Sequence, residues 1–438
     1  MKLKNKSPLI WSALLLFGIA GCSKSESAVP AGKSPYTLAI AVQGEASLQT
    51  RTPVFDPDDK TLKGRQHVTR VQLYIYEQDD TGNDYICVAS EDVKWPHLQG
   101  ADQGLETRKQ GYSTKYQNYQ DNKDYRFVAM GFDDTYTGGV EAPQFENKNS
   151  VAAYGQPDAQ ATVRTEATTG AKLSEGKFSL QAGAAESLMN ESELFAGART
   201  FTKADLKNGT AARTPIELNR RVAGVMGYFK GLPAQIENET VAKVVLRLYR
   251  AQNTAVKFLP VLPAGYTDSK QVPDAEYADY ITTDNGKERI IATCIPPTNG
   301  EQFSLSAYLL PIAAPADKNT CTLELAVQDA NGTDLAVRRV LYTPTEQQPG
   351  TRNGTGIIGG DEKNARMQYP IRANRFYRMG TKTNPIDLSG ESNDIYIYID
   401  PMWDEYYGGT LEGTNNGIGI DKEWGSHNGG TLDETTKP

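Results

Sequence analysis

The sequence predicts a mainly β protein made of two β-sandwich domains with few short helices. Apolar residues alternate with polar or small ones in several separate runs, which is the period-2 pattern of half-buried strands. Asp, Asn and Gly steps of the kind found in tight turns lie between these runs. No segment keeps a helical period over several turns, and the 438 residues exceed a single domain of roughly 150.

The chain begins with a segment typical of a secretory signal. Three lysines precede an apolar run over residues 9–20, which is shorter than the about 20 residues of a membrane-spanning helix. Small residues then lead to Cys22, and this pattern resembles the bacterial lipobox, whose cysteine is acylated. We therefore expect a signal peptide over residues 1–21 and a lipidated, flexible tether over residues 22–35. The alternative is an ordinary signal peptide with a chance cysteine.

The first predicted strand, Tyr36–Val42, has a clean alternation: threonine and alanine occupy one face. Runs at 71–76 and 321–328 alternate in the same way, and so does a run near the end of the chain. The other face of the first strand comprises Tyr36, Leu38, Ile40 and Val42, and one face of the last run comprises Ile395, Ile397 and Ile399.

Turn residues connect these strands. Residues 329–334 separate two alternating runs and predict a hairpin, and the same turn chemistry recurs at 79–83 and 284–286. Only short helices are expected, at Glu186–Phe195 and Ala204–Lys207.

The predicted domains follow from these runs. A boundary near 210–215 is expected because a new alternating run starts there. The first sandwich domain then covers residues 36–210 and the second covers residues 211–407. A flexible tail rich in Gly and Asp follows over residues 408–438.

Composition excludes several classes of function. The net charge of −8 is spread over interspersed acids and bases with no basic patch, which argues against nucleic acid as a partner. The three histidines are scattered, and there is no HExxH or paired CxxC, so neither a zinc site nor any other cofactor is expected. No nucleophile elbow, phosphate-binding loop or dinucleotide motif follows a strand, and we expect no enzyme.

Two further features leave alternatives open. A disulfide between Cys294 and Cys321 would suit an oxidising envelope, although two small buried thiols are the favoured interpretation. Exposed aromatic residues could stack on sugar rings, which makes a surface glycan-binding lipoprotein for nutrient capture the second hypothesis. The candidate aromatic residues are Trp95, Trp403, Trp424, Tyr406 and Tyr407.

Several motifs occur in one order along the chain. SELFAG at Ser192–Gly197 precedes PIELNRRVAGVMGYF at Pro215–Phe229. Asn374–Tyr377 then precedes the closing run IYIYIDPMWD at Ile395–Asp404. In this order the motifs resemble those of the fimbrillins, the lipoprotein subunits of type V pili. The residues at positions that match the family's pattern are Leu194, Phe195, Gly197, Leu218, Arg220, Val222 and Ala223.

The resemblance implies two transthyretin-like β-sandwich domains, no catalysis and a place in a cell-surface fimbrium that supports adhesion. Such subunits reach the outer membrane as lipoproteins, here through the lipid on Cys22. An Arg-specific protease then removes the N-terminal strand, and a neighbouring subunit supplies a replacement. The implied partners are other pilus subunits and surface receptors of a host or another bacterium.

The resemblance also suggests where exchange would occur. Arg51 is the candidate cut site, with Thr52 as the new N-terminus. Tyr36–Val42 would be the removed strand and Ile395–Ile399 the donor, although both also suit ordinary sheet strands. Because the chain continues for a long stretch after Asp400, the resemblance favours an anchor or accessory role in which the lipid is kept, and a cut stalk or tip subunit is the alternative.

Overall fold

The computed structural model is mainly β with short helices, as the alternation predicted. Cys22, Arg51 and Thr52 lie outside the residues that the structure describes. The described residues are 36–42, 68, 70–93, 95, 109–133, 150–266, 280–284, 287–315, 320–342, 367–380, 382, 384–390 and 394–400.

The elements have the following bounds. The strands are β1 (Thr37–Val42), β2 (Arg70–Gln78), β3 (Tyr85–Val93), β4 (Lys109–Ser113), β5 (Asp124–Phe132), β6 (Lys177–Ser179), β7 (Phe195–Thr202), β8 (Ile216–Arg220), β9 (Ala223–Lys230), β10 (Gln235–Ile236), β11 (Glu239–Thr240), β12 (Lys243–Leu248), β13 (Ala251–Lys257), β14 (Tyr280–Asp284), β15 (Arg289–Cys294), β16 (Phe303–Leu309), β17 (Leu323–Gln328), β18 (Asp334–Tyr342), β19 (Phe376–Met379), β20 (Ile386–Asp387) and β21 (Asp394–Asp400). The α-helices are α1 (Ser150–Tyr154), α2 (Lys203–Lys207) and α3 (Thr210–Arg213), and 3₁₀ helices lie at Pro157–Ala159, Leu173–Glu175, Glu186–Glu191 and Thr298–Gly300.

The first large sheet has seven strands in the order β3-β2-β5-β7-β8-β1-β4. Neighbours run antiparallel except β1 and β8, which are parallel. Its apolar face packs into a core that includes Val71, Leu73 and Phe127, all fully buried. The N-terminal strand therefore lies within the sheet rather than at its end.

The second large sheet has nine strands, eight of them in the order β15-β12-β17-β18-β21-β19-β9-β16, with β20 beside β9. The closing strand β21 changes neighbour along its length. Its first half runs parallel to β18, and its second half runs antiparallel to β19. β21 thus joins the two halves of this sheet.

The chain changes sheet between β8 and β9, after the boundary predicted near 210–215. β8 still pairs with β7 and β1, so the run that was expected to begin a new unit is divided between two sheets. Arg221 and Val222 connect the halves of this run. The division into two domains stays a prediction.

A third sheet, in the order β14-β13-β6, crosses the predicted boundary. Beside it lies an apolar cluster to which both large sheets contribute, including Tyr76 and Phe132 from the first and Met226, Tyr308 and Phe376 from the second. Burying these large side chains couples the two halves of the chain, because each contributes about 1.5–3 kcal/mol when removed from water.

Local turn chemistry was predicted well, with one exception. β17 and β18 form the expected hairpin, in which Gly332 has φ of +86° and donates its N–H to the Asp329 carbonyl over 3.2 Å. β2 and β3 pair across residues 79–83 in the same way. The strands on either side of residues 284–286 do not form a hairpin, because β14 pairs with β13 and β15 pairs with β12.

Both predicted helices exist as short elements, but the first is shorter than predicted. Residues Glu186–Glu191 form a 3₁₀ helix and Phe195 already belongs to β7, whereas α2 covers the whole of the second predicted segment. α2 begins with a capping box in which Asp205 N–H donates to Thr202 Oγ1 (3.2 Å) and Thr202 N–H donates to Asp205 Oδ2 (2.9 Å). These hydrogen bonds lower the pKa of Asp205.

The Asn374–Tyr377 motif forms the entry to β19. Asn374 adopts φ of +57°, a left-handed conformation that Asn tolerates better than most residues. The fully buried Tyr377 donates its hydroxyl to the Pro370 carbonyl (3.1 Å) and accepts the Arg372 N–H (2.8 Å). This tyrosine hydroxyl ties the connection before β19 to the strand itself.

Replacing Tyr377 by phenylalanine is expected to lower the free energy of unfolding by about 1–3 kcal/mol, because two buried backbone groups lose their partner. Urea denaturation measures the difference. Tyr76→Phe is the matched control, since the Tyr76 hydroxyl is buried without a hydrogen-bond partner and its loss should not destabilise. Equal effects of the two substitutions would contradict this role of Tyr377.

Candidate strand-exchange site

The first predicted strand occupies an interior position of the first sheet. β1 pairs antiparallel with β4, where Leu38 is opposite Tyr112, and parallel with β8, where Val42 is opposite Leu218. The Thr114 N–H donates to the Tyr36 carbonyl over 3.0 Å and extends the first ladder. Both edges of β1 therefore take part in backbone hydrogen bonding.

The apolar face of β1 faces the core of the first sheet. Leu38 and Ile40 are fully buried, and Val42 and Tyr36 are nearly so. The Tyr36 ring meets the Tyr119 ring edge to face, with centroids 4.7 Å apart. These residues belong to the same apolar cluster as Leu218 of β8 and Phe127 of β5.

Helices α2 and α3 lie against β1. Leu206 of α2 and Ala211 of α3 are fully buried in the same cluster as Leu38 and Ile40. The Lys207 ammonium lies 5.8 Å from the centroid of the Tyr36 ring, in the position of a cation–π contact. α2, the second of the two helices predicted from the sequence, thus covers part of β1.

The motif that carries the family resemblance forms a buried ion pair at the end of β8, the strand that pairs with β1. Arg220 at the end of β8 contacts Glu193 through Nε and Oε1 over 2.7 Å, and the two side chains are 5% and 1% exposed. The guanidinium also lies over the Phe195 ring, 4.9 Å from its centroid. Since Arg220 pairs with Phe195 in the β7–β8 ladder, the motif joins the start of β7 to the end of β8.

Gly197 lets β8 approach β7 closely. A Cβ atom built at this position would lie 1.8 Å from the carbonyl oxygen of Glu217. Glu217 is the residue of β8 that pairs with Ala41 of β1. The glycine of the motif therefore sets how near β7 lies to the strand that holds β1.

The second candidate strand is held on both sides in its own chain. Ile395 pairs with Val340 of β18 and is buried in the core of the second sheet. Ile397 pairs with Tyr342, and Ile399 pairs with Tyr377 of β19. The structure does not bring β21 together with β1, since the two strands belong to different sheets.

The disulfide that the sequence allowed between Cys294 and Cys321 is not formed, and both residues are free thiols. Cys294 pairs with Val244 near the start of β12. Cys321 precedes β17 where that strand pairs with Leu248, at the other end of β12. Burial raises the pKa of Cys294 to about 11, which makes it a weak nucleophile.

The other candidate chemistries find little support among the described residues. Trp95 is only 7% exposed, and the remaining aromatic candidates for sugar stacking lie outside the described part of the chain. Within that part, no group of three or more His, Cys, Asp or Glu residues could hold a metal ion. None of the described helices has the length and hydropathy to cross a bilayer.

Two residues at this site were not predicted from the sequence. Glu193 lies inside the SELFAG motif, but only the fold reveals its pairing with Arg220, 27 positions away. Glu91 contacts the residues around the end of β4, although it lies on β3 at the opposite end of the sheet order. Neither contact has a local sequence signal, because the first depends on the register of β7 with β8 and the second on how the sheet curls.

Comparisons with known proteins found matches among solved structures only. No family model matches the chain, and no curated protein matches it. A candidate adhesin from Bacteroides thetaiotaomicron VPI-5482 is 11% identical with a TM-score of 0.34, and the match covers 85% of this chain and 98% of that one.

Two further matches are fimbrial proteins from Porphyromonas gingivalis. The tip fimbrial protein Mfa3 is 10% identical with a TM-score of 0.32, covering 83% of this chain and 98% of that one. The fimbrial anchor protein Mfa2 is 11% identical with a TM-score of 0.32, covering 83% and 97%.

Proposed function

We propose that the chain is a fimbrillin-type structural subunit of a bacterial cell-surface pilus that supports adhesion. It is exported as an outer-membrane lipoprotein through Cys22 and joins other subunits by exchange of β1. The observation that carries this proposal is the position of β1, a strand near the N-terminus inserted between β4 and β8.

Loss of β1 would expose a slot suited to another strand. The β8 backbone and the inner edge of β4 would lose their ladder partners, which is the condition under which an extended segment adds to a sheet. Each restored backbone hydrogen bond contributes about 0.5–1.5 kcal/mol. Each large apolar side chain that refills the positions of Leu38, Ile40 and Val42 contributes about 1.5–3 kcal/mol.

The sequence around the slot suits proteolytic release. Arg51 follows β1 within the segment that joins it to the rest of the chain. A cut between Arg51 and Thr52 would leave β1 attached to the body by non-covalent contacts alone. The lipid on Cys22 would depart with β1, so a cut subunit is freed from the membrane, whereas an uncut chain is an anchor.

The closing strand β21 is the candidate donor. In its own chain it pairs with β18 and β19, so donation requires that it first leave both strands. The slot of a neighbouring subunit would have to offset this cost. The alternation of Ile395, Ile397 and Ile399 supplies three apolar side chains on one face for that purpose.

The proposal predicts a change of assembly state on cleavage. After an Arg-specific protease treats the purified protein and mass spectrometry verifies an N-terminus at Thr52, SDS-resistant oligomers should appear on gels. The Arg51→Ala variant, treated in the same way, should stay monomeric because β1 remains covalently attached. A cut protein that stays monomeric and is retarded on a polysaccharide affinity gel would instead support the glycan-binding function.

A further inference from the structure

The first sheet curls until its two end strands meet. Glu91 on β3 accepts hydrogen bonds from the Tyr112 hydroxyl (2.9 Å), the Lys115 N–H (2.9 Å) and the Tyr116 N–H (2.8 Å). Tyr112 belongs to β4, and the two N–H groups follow directly after it. The Glu91 residue is 5% exposed. A single buried carboxylate therefore joins the strands that the ladder order places furthest apart.

This contact is independent of β1. Among the described strands, β4 forms a ladder only with β1. The Glu91 contact does not involve the β1 backbone. The segment after β4 also packs through Tyr119, whose hydroxyl donates to the Thr114 side chain (3.0 Å) and whose ring centroid lies 4.9 Å from that of Tyr125. Of these contacts, the hydrogen bond between Glu91 of β3 and Tyr112 is the one that joins a residue of β4 itself to another strand.

We infer that Glu91 holds β4 in place as the outer wall of the β1 slot, so that an exchanged strand meets a ladder partner on both sides. This inference rests on the proposed exchange of β1. Glu91 is a positioning residue, since it acts through β4 and does not contact the incoming backbone. If β4 moved away, an incoming strand could form backbone hydrogen bonds with β8 on one edge only.

The chemistry of the contact explains why a carboxylate is needed. Hydrogen bonds to an ionised acceptor are about twice as strong as neutral ones, and burial prevents water from replacing them. All three contacting groups act as donors, and both carboxylate oxygens accept. A glutamine has only one accepting oxygen, so its amide N–H₂ would face a backbone N–H.

The test measures how long a β1 peptide stays in the slot. The full chain is cut at Arg51–Thr52, its β1 segment is displaced by a fluorescent synthetic peptide of residues 34–43, and the peptide's dissociation rate is followed. Glu91→Gln is expected to raise this rate about tenfold or more, because the amide leaves a buried backbone N–H without an acceptor and β4 is held less firmly. Asp92→Asn is the matched control: Asp92 is the next residue of β3, is 57% exposed and pairs with Arg70. It should leave the rate unchanged.

The outcomes separate the inference from the proposed function. If the cut wild-type protein captures no peptide, the exchange of β1 is overturned. If it captures the peptide and Glu91→Gln releases it at the wild-type rate, the role of Glu91 is overturned while exchange stands. Tyr112→Phe removes one of the three hydrogen bonds and should raise the rate about threefold. If near-UV circular dichroism shows that the Glu91→Gln variant is unfolded before cleavage, the dissociation rate of the peptide from the Tyr112→Phe variant tests the role of Glu91 instead.

Discussion

Replacing Glu193 by alanine is expected to lower the free energy of unfolding by about 3–5 kcal/mol. The substitution removes the Glu193 carboxylate from the Arg220 guanidinium, which is only 5% exposed. Breaking one partner of a buried pair costs more than the pair itself contributes, because the remaining charge stays buried. The Phe195 ring beneath the guanidinium offsets only about 0.5–2 kcal/mol of this cost.

Urea denaturation followed by circular dichroism measures the effect of Glu193→Ala. The double variant Glu193→Leu with Arg220→Met should recover part of the loss, since well-packed apolar residues often replace a buried pair at little cost. The exposed pair of Arg70 and Asp92, 2.9 Å apart, provides the control, and Asp92→Ala should cost at most about 1 kcal/mol. A loss of less than about 1 kcal/mol for Glu193→Ala would mean that Arg220 has another adequate partner.

Replacing Gly197 by alanine is the second substitution with a large expected effect. The new Cβ would lie 1.8 Å from the Glu217 carbonyl oxygen and 2.6 Å from its carbonyl carbon, so the β8 backbone must move. Overpacking of this kind costs roughly 1–3 kcal/mol, and we expect a value at or above the upper end because the neighbour is backbone. Moving β8 also disturbs its ladder with β1.

Hydrogen exchange detects this second consequence of Gly197→Ala. The amides of β1 and β8 should exchange faster than in the wild type, whereas those of β17, in the other large sheet, should keep their protection. Gly390→Ala is the control, because within the described part of the chain no atom beyond Gly390 and its immediate neighbours lies within 4 Å of the added Cβ. Faster exchange throughout the chain would indicate general destabilisation rather than a local loosening of the slot.

The strands near the site were readily predicted from sequence because their information is local. Tyr36–Val42 and the runs at 71–76 and 321–328 fall on β1, β2 and β17. The alternation of apolar and polar residues indicates which face of a strand is buried, whichever strands lie beside it. The Asp and Gly steps at 329–334 predicted a hairpin for the same reason, since the turn and its two strands are adjacent in sequence.

Predictions about contacts between residues that are distant in sequence were less successful. The alternating run that follows residue 215 gave no sign of the change of sheet between β8 and β9, because alternation continues across Arg221 and Val222 while the pairing changes. The disulfide between Cys294 and Cys321 was allowed by spacing, yet the β12 register separates the two thiols. Spacing along the chain does not determine register across strands.

For this protein the sequence by itself indicated the mainly β class, several of the strands with their apolar faces, and the motifs that resemble a family. Only the tertiary structure decided that β1 lies between two strands, that Arg220 meets Glu193 and that Glu91 reaches β4. The physical reason is that burial pattern is a property of local side chains. Neighbours in a curled sheet depend instead on which distant backbones satisfy each other's hydrogen bonds.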